Sequence, residues 1–483
     1  MPLIGNLHQA DTARVHLAVE DWGRRYGPLF RFRLGRRDLL GVTDPLVVSA
    51  LLRDRPEGWR RTRVVENLLR ELGVGGVFAA NGDVWRAQRR MVMAAFDTRH
   101  LKQYYPFVAR VAERFHRRWS QHAKEGRVFD LQADLMRFTV DVVAGLALGL
   151  DVNTIETPGE TLQTHMNHIF PMLARRLNSP LPYWRWLKLP ADRRLDHHVE
   201  HLRRAVAEVI AAARGRLDAD PSLRESPENL IEAMLVERER PGTTLDDHDV
   251  ASNVVTMLLA GEDTTAHTLA WLIHLASRDS DVMRRLTAEA DQVLGDTRYA
   301  ERLEVASALR YTGACAQETM RLKPVAPLLF IESVVPCVVG DVAVPAGTVV
   351  AGVMRSGSQD PRWFERPEVF DPGRWLAAPG GATPGASGER ISMPFGAGPR
   401  ICPGRNLALL EINVVTSLLF RNFKIASLDT ADGSEVRECL AFTMAPSPLR
   451  MTLVHRSGDS EGARTDADGP VGGSAGARRQ AAG

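Results

Sequence analysis

From about Leu245 to Ser277 the chain carries one unbroken helical pattern. At 1.5 Å per residue it is about 50 Å long, enough to cross a large domain. Thr244 and Asp247 form a capping-box-like start. The middle is apolar but interrupted by Glu262, Asp263, His267 and His274. Charges at those places suit a helix buried in a soluble domain better than a membrane span. The 483 residues can bury it, as one big domain or two to three smaller ones. With 44% hydrophobic and 25% charged residues the composition is globular, and a net charge of +2 gives no case for nucleic acid.

The centre of that helix reads Ala260-Gly261-Glu262-Asp263-Thr264-Thr265. A glycine and two threonines are poor mid-helix residues, and such local conflict marks functional sites. Threonine hydroxyls bond back to the preceding turn and open a helix. The small pair Ala260-Gly261 leaves room for a flat ligand. Asp263 and Thr264 put a carboxylate and a hydroxyl side by side at this point.

A second constellation lies near the C-terminus, in Phe395-Gly-Ala-Gly398-Pro-Arg400-Ile-Cys402-Pro-Gly404. One cysteine sits in a glycine-rich loop, followed by an apolar helical run (Leu407, Leu410, Val414, Leu418). Pro403 fits the first helical position, and the helix N-terminus favours negative charge. Glycines let backbone N–H groups reach the sulfur and lower its pKa. Such a thiolate, with no second cysteine nearby, suits a single axial ligand of haem iron. The spacing F-x-x-G-x-R-x-C-x-G resembles the haem-binding signature of the cytochrome P-450 superfamily, the haem-thiolate monooxygenases, at every fixed position. Ala408 also matches, and Ala260–Thr265 resembles the family's distal-helix segment A-G-x-D-T-T.

The resemblance implies a mainly α fold with a small β region, a triangular helical prism. It implies haem b between the long helix and the Cys402 loop. It implies insertion of one oxygen atom of O2 into a lipophilic substrate with two electrons, Asp263 and Thr264 being the acid–alcohol pair. Glu318-Thr-Met-Arg321 resembles the family's buried E-x-x-R, which Arg374 of Phe370-Asp-Pro-Gly-Arg374-Trp joins as a structural brace. Trp85 and Arg89, at i and i+4, resemble the helix that contacts a haem propionate. Arg400 is the other expected propionate partner. One departure stands out: where many relatives carry a propionate-binding arginine, near 331 or 332, this chain has Ile331-Glu332.

Two rival readings use the same residues. A peroxide-driven enzyme or isomerase on this fold usually loses the acid–threonine pair, which is intact here. A non-catalytic haem sensor would not need it. Substrate-contact regions implied by the resemblance are mostly apolar (Val74, Val77, Phe78, Met257, Leu259, Leu328, Leu329, Phe442, Met444). Fatty acids, terpenoids and polyketides all fit, and Arg63 is a candidate to meet a carboxylate.

The remaining sequence predicts context. Residues from about 28 to 52 alternate like a small sheet, helices dominate from about 84 to 320, and 334–350 read as short strands round Gly340 and Gly347. A polar break falls at Asp220, and a Gly/Pro-rich surface loop at 376–390. The haem domain is expected to span 1–456. The Gly, Ala, Asp and Arg tail 457–483 lacks the apolar residues to offset its ordering entropy. His197, His198 and His201 read as a solvated helix face, lacking a third metal ligand at recognisable spacing. Gly73-Val-Gly75-Gly76 is no dinucleotide fingerprint. Four scattered cysteines fit a reducing cytoplasm. The arginine bias, with only five lysines, suggests a high-GC bacterial source. No N-terminal stretch resembles a signal or anchor. Pro2–His8, however, resembles the segment after the anchor of membrane-bound relatives, so the expectation is either a natively soluble protein or one whose first residues were removed or wrongly assigned. No reductase domain is appended, so electrons are expected from a separate ferredoxin or flavodoxin with its reductase. Residues 1–130 hold 24 Lys+Arg against 14 Asp+Glu, and Arg86, Arg90 and Arg405 are the expected docking residues.

Overall fold

The computed structural model describes residues 5–456 apart from 10, 36, 97, 158–161, 180 and 377–387. The tail 457–483 and most of the 376–390 loop lie outside the described residues. The long helix runs Asp247–Ser277. Its cap is a reciprocal pair, Asp246 accepting from the Asp249 N–H and Asp249 from the Asp246 N–H. The start is therefore two residues off the Thr244–Asp247 box, because aspartates at this spacing satisfy both orphan donors. Most of the helix is buried, from Val250 to Ala276. It packs on helix Leu131–Leu148, itself buried along nearly its whole length, and on helices Arg310–Leu322 and Arg405–Asn422. Gly261 makes the first contact possible: a Cβ there would meet Val143 Cγ2 at 2.6 Å. Helix Leu162–Asn178 and helix Pro190–Ala219 pack against each other beside this core.

The β structure is peripheral. A five-stranded sheet has the order Leu29–Leu34, Arg37–Val42, Val349–Val353, Leu328–Ser333, Trp59–Arg61. Only the second and third strands pair in parallel. The expected strand pattern over 28–52 ends early. Asp44 caps, and Pro45 opens, a helix over Pro45–Arg53, where the fixed φ of proline favours a first turn. Hairpins Cys337–Val339/Val342–Val344 and Glu438–Leu440/Met444–Pro446 complete the region, with a three-stranded sheet of Phe129–Asp130, Leu449–His455 and Phe423–Thr430. Among the described residues no helix is long and apolar enough to cross a membrane.

Candidate active site

The loop 395–404 owes its shape to two left-handed glycines. Gly396 has φ +76° and Gly398 φ +70°, values that cost other residues a Cβ clash. At Gly398 a side chain would also strike Arg53 Cα at 2.6 Å and the Leu52 carbonyl at 2.7 Å. The loop thus rests backbone to backbone on helix Pro45–Arg53. The Cys402 N–H donates to the Phe395 carbonyl at 2.9 Å and closes the loop. The following helix begins at Arg405, with Gly404 as its cap. Pro403 is therefore outside the helix. The Gly404 and Arg405 N–H groups point at the sulfur instead, and a Cβ on Gly404 would meet only Cys402 Sγ, at 3.9 Å.

Cys402 is exposed by area, yet burial is the main influence on it and pushes its thiol pKa up. The two facts agree if its exposed face opens into a recess walled by protein. The expected lowering is present but smaller: the two N–H groups and Arg89 favour thiolate and do not offset desolvation. A coordinating metal deprotonates a thiol outright. Ala260 is likewise exposed, in the middle of an otherwise buried helix. Thr265, one step from the acid–alcohol pair, lies close enough to Glu411, on the helix that follows Cys402, to favour its carboxylate against burial. That contact joins the long helix to the cysteine helix beside the recess.

Trp85 and Arg89 lie on helix Gly82–Ala95. Arg89 donates to the Ile401 carbonyl at 2.7 Å, so it braces the cysteine loop. The Arg400 guanidinium covers the Trp85 ring, 4.6 Å from its centroid, and donates to Ala80 O at 2.7 Å and Asn81 Oδ1 at 3.2 Å. Two further arginines, which sequence spacing did not single out, gather here. Arg55 is buried with Nε and one Nη unpartnered, and Arg61 lies over Phe78 with Nε on the Phe78 carbonyl. Burial and mutual repulsion lower these cations: Arg400 to about 9, Arg61 well below its ordinary value, while burial alone takes Arg55 to about 10. Among the described residues no carboxylate pairs with Arg55, Arg61, Arg89 or Arg400, and Arg400 Nε is also orphaned.

Buried guanidiniums without anions are costly. The donor set therefore fits a ligand bearing carboxylates, next to a cysteine that can take a metal. Strand register explains the missing arginine of strand Leu328–Ser333: Arg61 pairs across from Ile331 on the neighbouring strand. Glu332 is occupied otherwise, holding Arg63 through its N–H at 3.0 Å and its Nε at 3.1 Å. Arg63 thus has its Nε and backbone N–H on Glu332, while the rest of its side chain faces solvent.

On the long helix, the Thr264 hydroxyl donates to the Ala260 carbonyl at 2.8 Å, and the helix stays continuous through 260–265. The expected opening is absent because the bond replaces nothing in the backbone ladder. Gly261 points at helix Leu131–Leu148, so Ala260 rather than Gly261 borders the recess. Burial raises the Asp263 pKa to about 6. Glu262, buried with both carboxyl oxygens unpartnered, is pushed well up by burial and by the Asp263 charge. Asp263 instead borders a cavity of about 520 Å³.

Glu318, Arg321 and Arg374 lie together in the structure. Arg321 and Glu318 are fully buried and joined by two 2.8 Å hydrogen bonds. Arg374 Nε reaches Glu318 at 3.2 Å, and Trp375 Nε1 and the Asp371 N–H also donate to Glu318, both at 2.9 Å. Arg321 further donates to the Ser358, Pro367 and Val369 carbonyls, tying down the segment before the cysteine loop.

The Cytochrome P450 family model matches residues 1–453. The chain belongs to the cytochrome P450 family. Cyclooctat-9-en-7-ol 5-monooxygenase of Streptomyces melanosporofaciens is 30% identical, over 83% of each chain. Carotene epsilon-monooxygenase of Arabidopsis thaliana is 26% identical, over 85% of this chain and 77% of that one. The crystal structure of the cytochrome P450DA heme domain superposes with a TM-score of 0.80 at 23% identity, covering 94% of this chain and 96% of that one; it shows the fold. The protein is a P450 monooxygenase, and the family brings a haem. Other groupings carry less. His165 and His168 of helix Leu162–Asn178 come up to His198 and His201 of helix Pro190–Ala219, with His165 Nδ1 2.9 Å from His198 Nδ1. Among the described residues, however, no three ligands are set to hold a metal ion.

Proposed function

We propose that Cys402 holds the iron of haem b and that Arg55, Arg61 and Arg400 hold its carboxylates. Asp263 and Thr264 then manage protons while a lipophilic molecule is oxygenated. The observation that carries this is the set of buried guanidiniums without anions beside a thiol that two helix N–H groups face. Haem on a thiolate supplies the two-electron activation of O2 and the transfer of one oxygen atom to carbon. The balance is RH + O2 + 2e⁻ + 2H⁺ → ROH + H2O. The chain's residues must therefore bring in two protons per turnover. With its own proton given to the Ala260 carbonyl, the Thr264 oxygen is free to accept from a water. Asp263, at about 6, can give a proton near neutrality. The electrons come from a separate ferredoxin or flavodoxin. The mostly apolar lining beside Asp263 (Met136, Pro171, Leu440, Phe442) supports a hydrocarbon-like substrate. So do relatives named for carotene and for a cyclooctatenol.

The test is spectroscopic. Reduced protein under carbon monoxide is expected to show the strongly red-shifted Soret band of a thiolate ligand. Retention of that band in Cys402→Ser would rule the assignment out.

A further inference from the structure

The cavity of about 520 Å³ runs from Asp263 to His267, one turn further along the long helix, and on to Thr443 in the turn of the 438–446 hairpin. Its volume suits a small organic molecule. Its lining is mostly apolar; besides the carboxylates Asp130 and Asp263 and the Gln132 amide, which is spent on the Pro446 and Ser447 carbonyls and the Leu449 N–H, it carries the pair His267–Thr443, with Nδ1 3.1 Å from Oγ1. Both residues are more than nine-tenths buried. The pair has a simple property. If Nδ1–H donates to the hydroxyl, the threonine proton and the Nε2 lone pair remain. If the hydroxyl donates to Nδ1, Nε2–H and an oxygen lone pair remain. Either tautomer leaves one donor and one acceptor to satisfy.

Charge narrows the choice further. The titratable groups lining the cavity are Asp130, Asp263, His267 and Cys439; no lysine or arginine lines it among the described residues. Burial keeps His267 neutral, its pKa pushed down to about 4. Arg63, the sequence candidate for a carboxylate partner, pairs with Glu332.

We propose that this cavity seats a neutral lipophilic alcohol, and that His267 and Thr443 anchor its hydroxyl by one donated and one accepted hydrogen bond. The proposal rests on the reading that substrate lies beside Asp263, and it selects terpenoid- or polyketide-like alcohols over fatty acids. A hydroxyl meets both open groups, an ether only one, and a carboxylate meets no cation. A buried polar group left unpaired is what makes such a site discriminate.

The test is calorimetric titration of the holoenzyme at pH 7.5 with one C15 bicyclic skeleton in three forms: drimanol, its methyl ether and drimanoic acid. Drimanol is expected to bind about tenfold tighter than the ether, the scale of one hydrogen bond, and tighter again than the acid. His267→Phe and Thr443→Val are expected to bring drimanol to the level of the ether, while His267→Gln, which keeps a donor and an acceptor, restores part of the preference. Acid binding as tight as alcohol, an unchanged preference in both variants, or no binding by any of the three overturns the proposal. The carbon monoxide band, retained in both variants, separates a lost anchor from a lost haem site. Failure here therefore leaves the monooxygenase assignment standing.

Discussion

Thr264 and Asp263 are adjacent in sequence but do different work. Thr264, one turn from the exposed Ala260, has its own proton committed, so Thr264→Ala is expected to remove an acceptor for water and little else. Haem content and substrate affinity are expected to stay near wild type while electrons leak to hydrogen peroxide. Product formed per NAD(P)H oxidised measures this, and full coupling would place the water elsewhere. Asp263→Asn is expected to slow turnover about 10²-fold, the usual scale for a positioned proton donor. The sign of the pH effect follows from burial. The Asp263 pKa is raised to about 6, so its proton-donating form is lost as pH rises through about 6. Coupling is expected to fall over that range in wild type and to be flat in Asp263→Asn. The same shift, from 3.8 to about 6, makes the ionised folded state less stable by about 3 kcal/mol. That loss accrues as pH rises from about 4 to about 6. Denaturation midpoints of Asp263→Asn should depend less on pH there.

At the scale of elements, two contacts set the haem side. The cysteine loop meets helix Pro45–Arg53 through Gly398, where both φ and a 2.6 Å approach exclude a side chain. Gly398→Ala must move backbone, not a flexible tip, and is expected to lower the haem retained after purification, read as the Soret to 280 nm ratio. The Glu318–Arg321–Arg374 brace is buried and hydrogen-bonded on every side. Glu318→Gln strands the Arg321 charge, so a loss of about 3–5 kcal/mol is expected in denaturant unfolding. Little change would mean that the carbonyls of Ser358, Pro367 and Val369 suffice for the guanidinium.

Across the whole molecule, charge bears on electron delivery. The basic excess of residues 1–130 favours an acidic partner, but the arginines are not equal. Arg86 is held by Glu57 and Asp83, both at 2.5 Å, so it has little charge to offer. Arg90 is exposed, and Arg405 lies over Phe395 at 5.8 Å; neither has an ion pair among the described residues. Exposed charges steer association and are screened by salt. The rate at limiting ferredoxin or flavodoxin is therefore expected to fall as ionic strength rises. Arg405→Glu should raise the half-saturating partner concentration more than Arg86→Glu does. A salt-independent rate would remove electrostatic docking on this face.

What the sequence determined by itself lies within single segments. Spacing along one helix puts Glu318 and Arg321 on one face, and the resemblance of two short segments, 260–265 and 395–404, marked Asp263, Thr264 and Cys402 without a structure. The core helices were legible for the same reason. Relations between segments were not. Arg55 and Arg61 join Arg400 from more than 300 residues away, and Arg61 makes good the missing arginine only through the register of two strands. Gly261 seemed to make room for a ligand but makes room for Val143. Arg63 seemed free and is bound to Glu332. His267 looked like an interruption in an apolar helix until Thr443, 176 residues on, met its ring. Periodicity carries no information about which distant surface a face will meet. Packing decides that, and with it which charges are neutralised, which are buried without a partner, and what a cavity will accept.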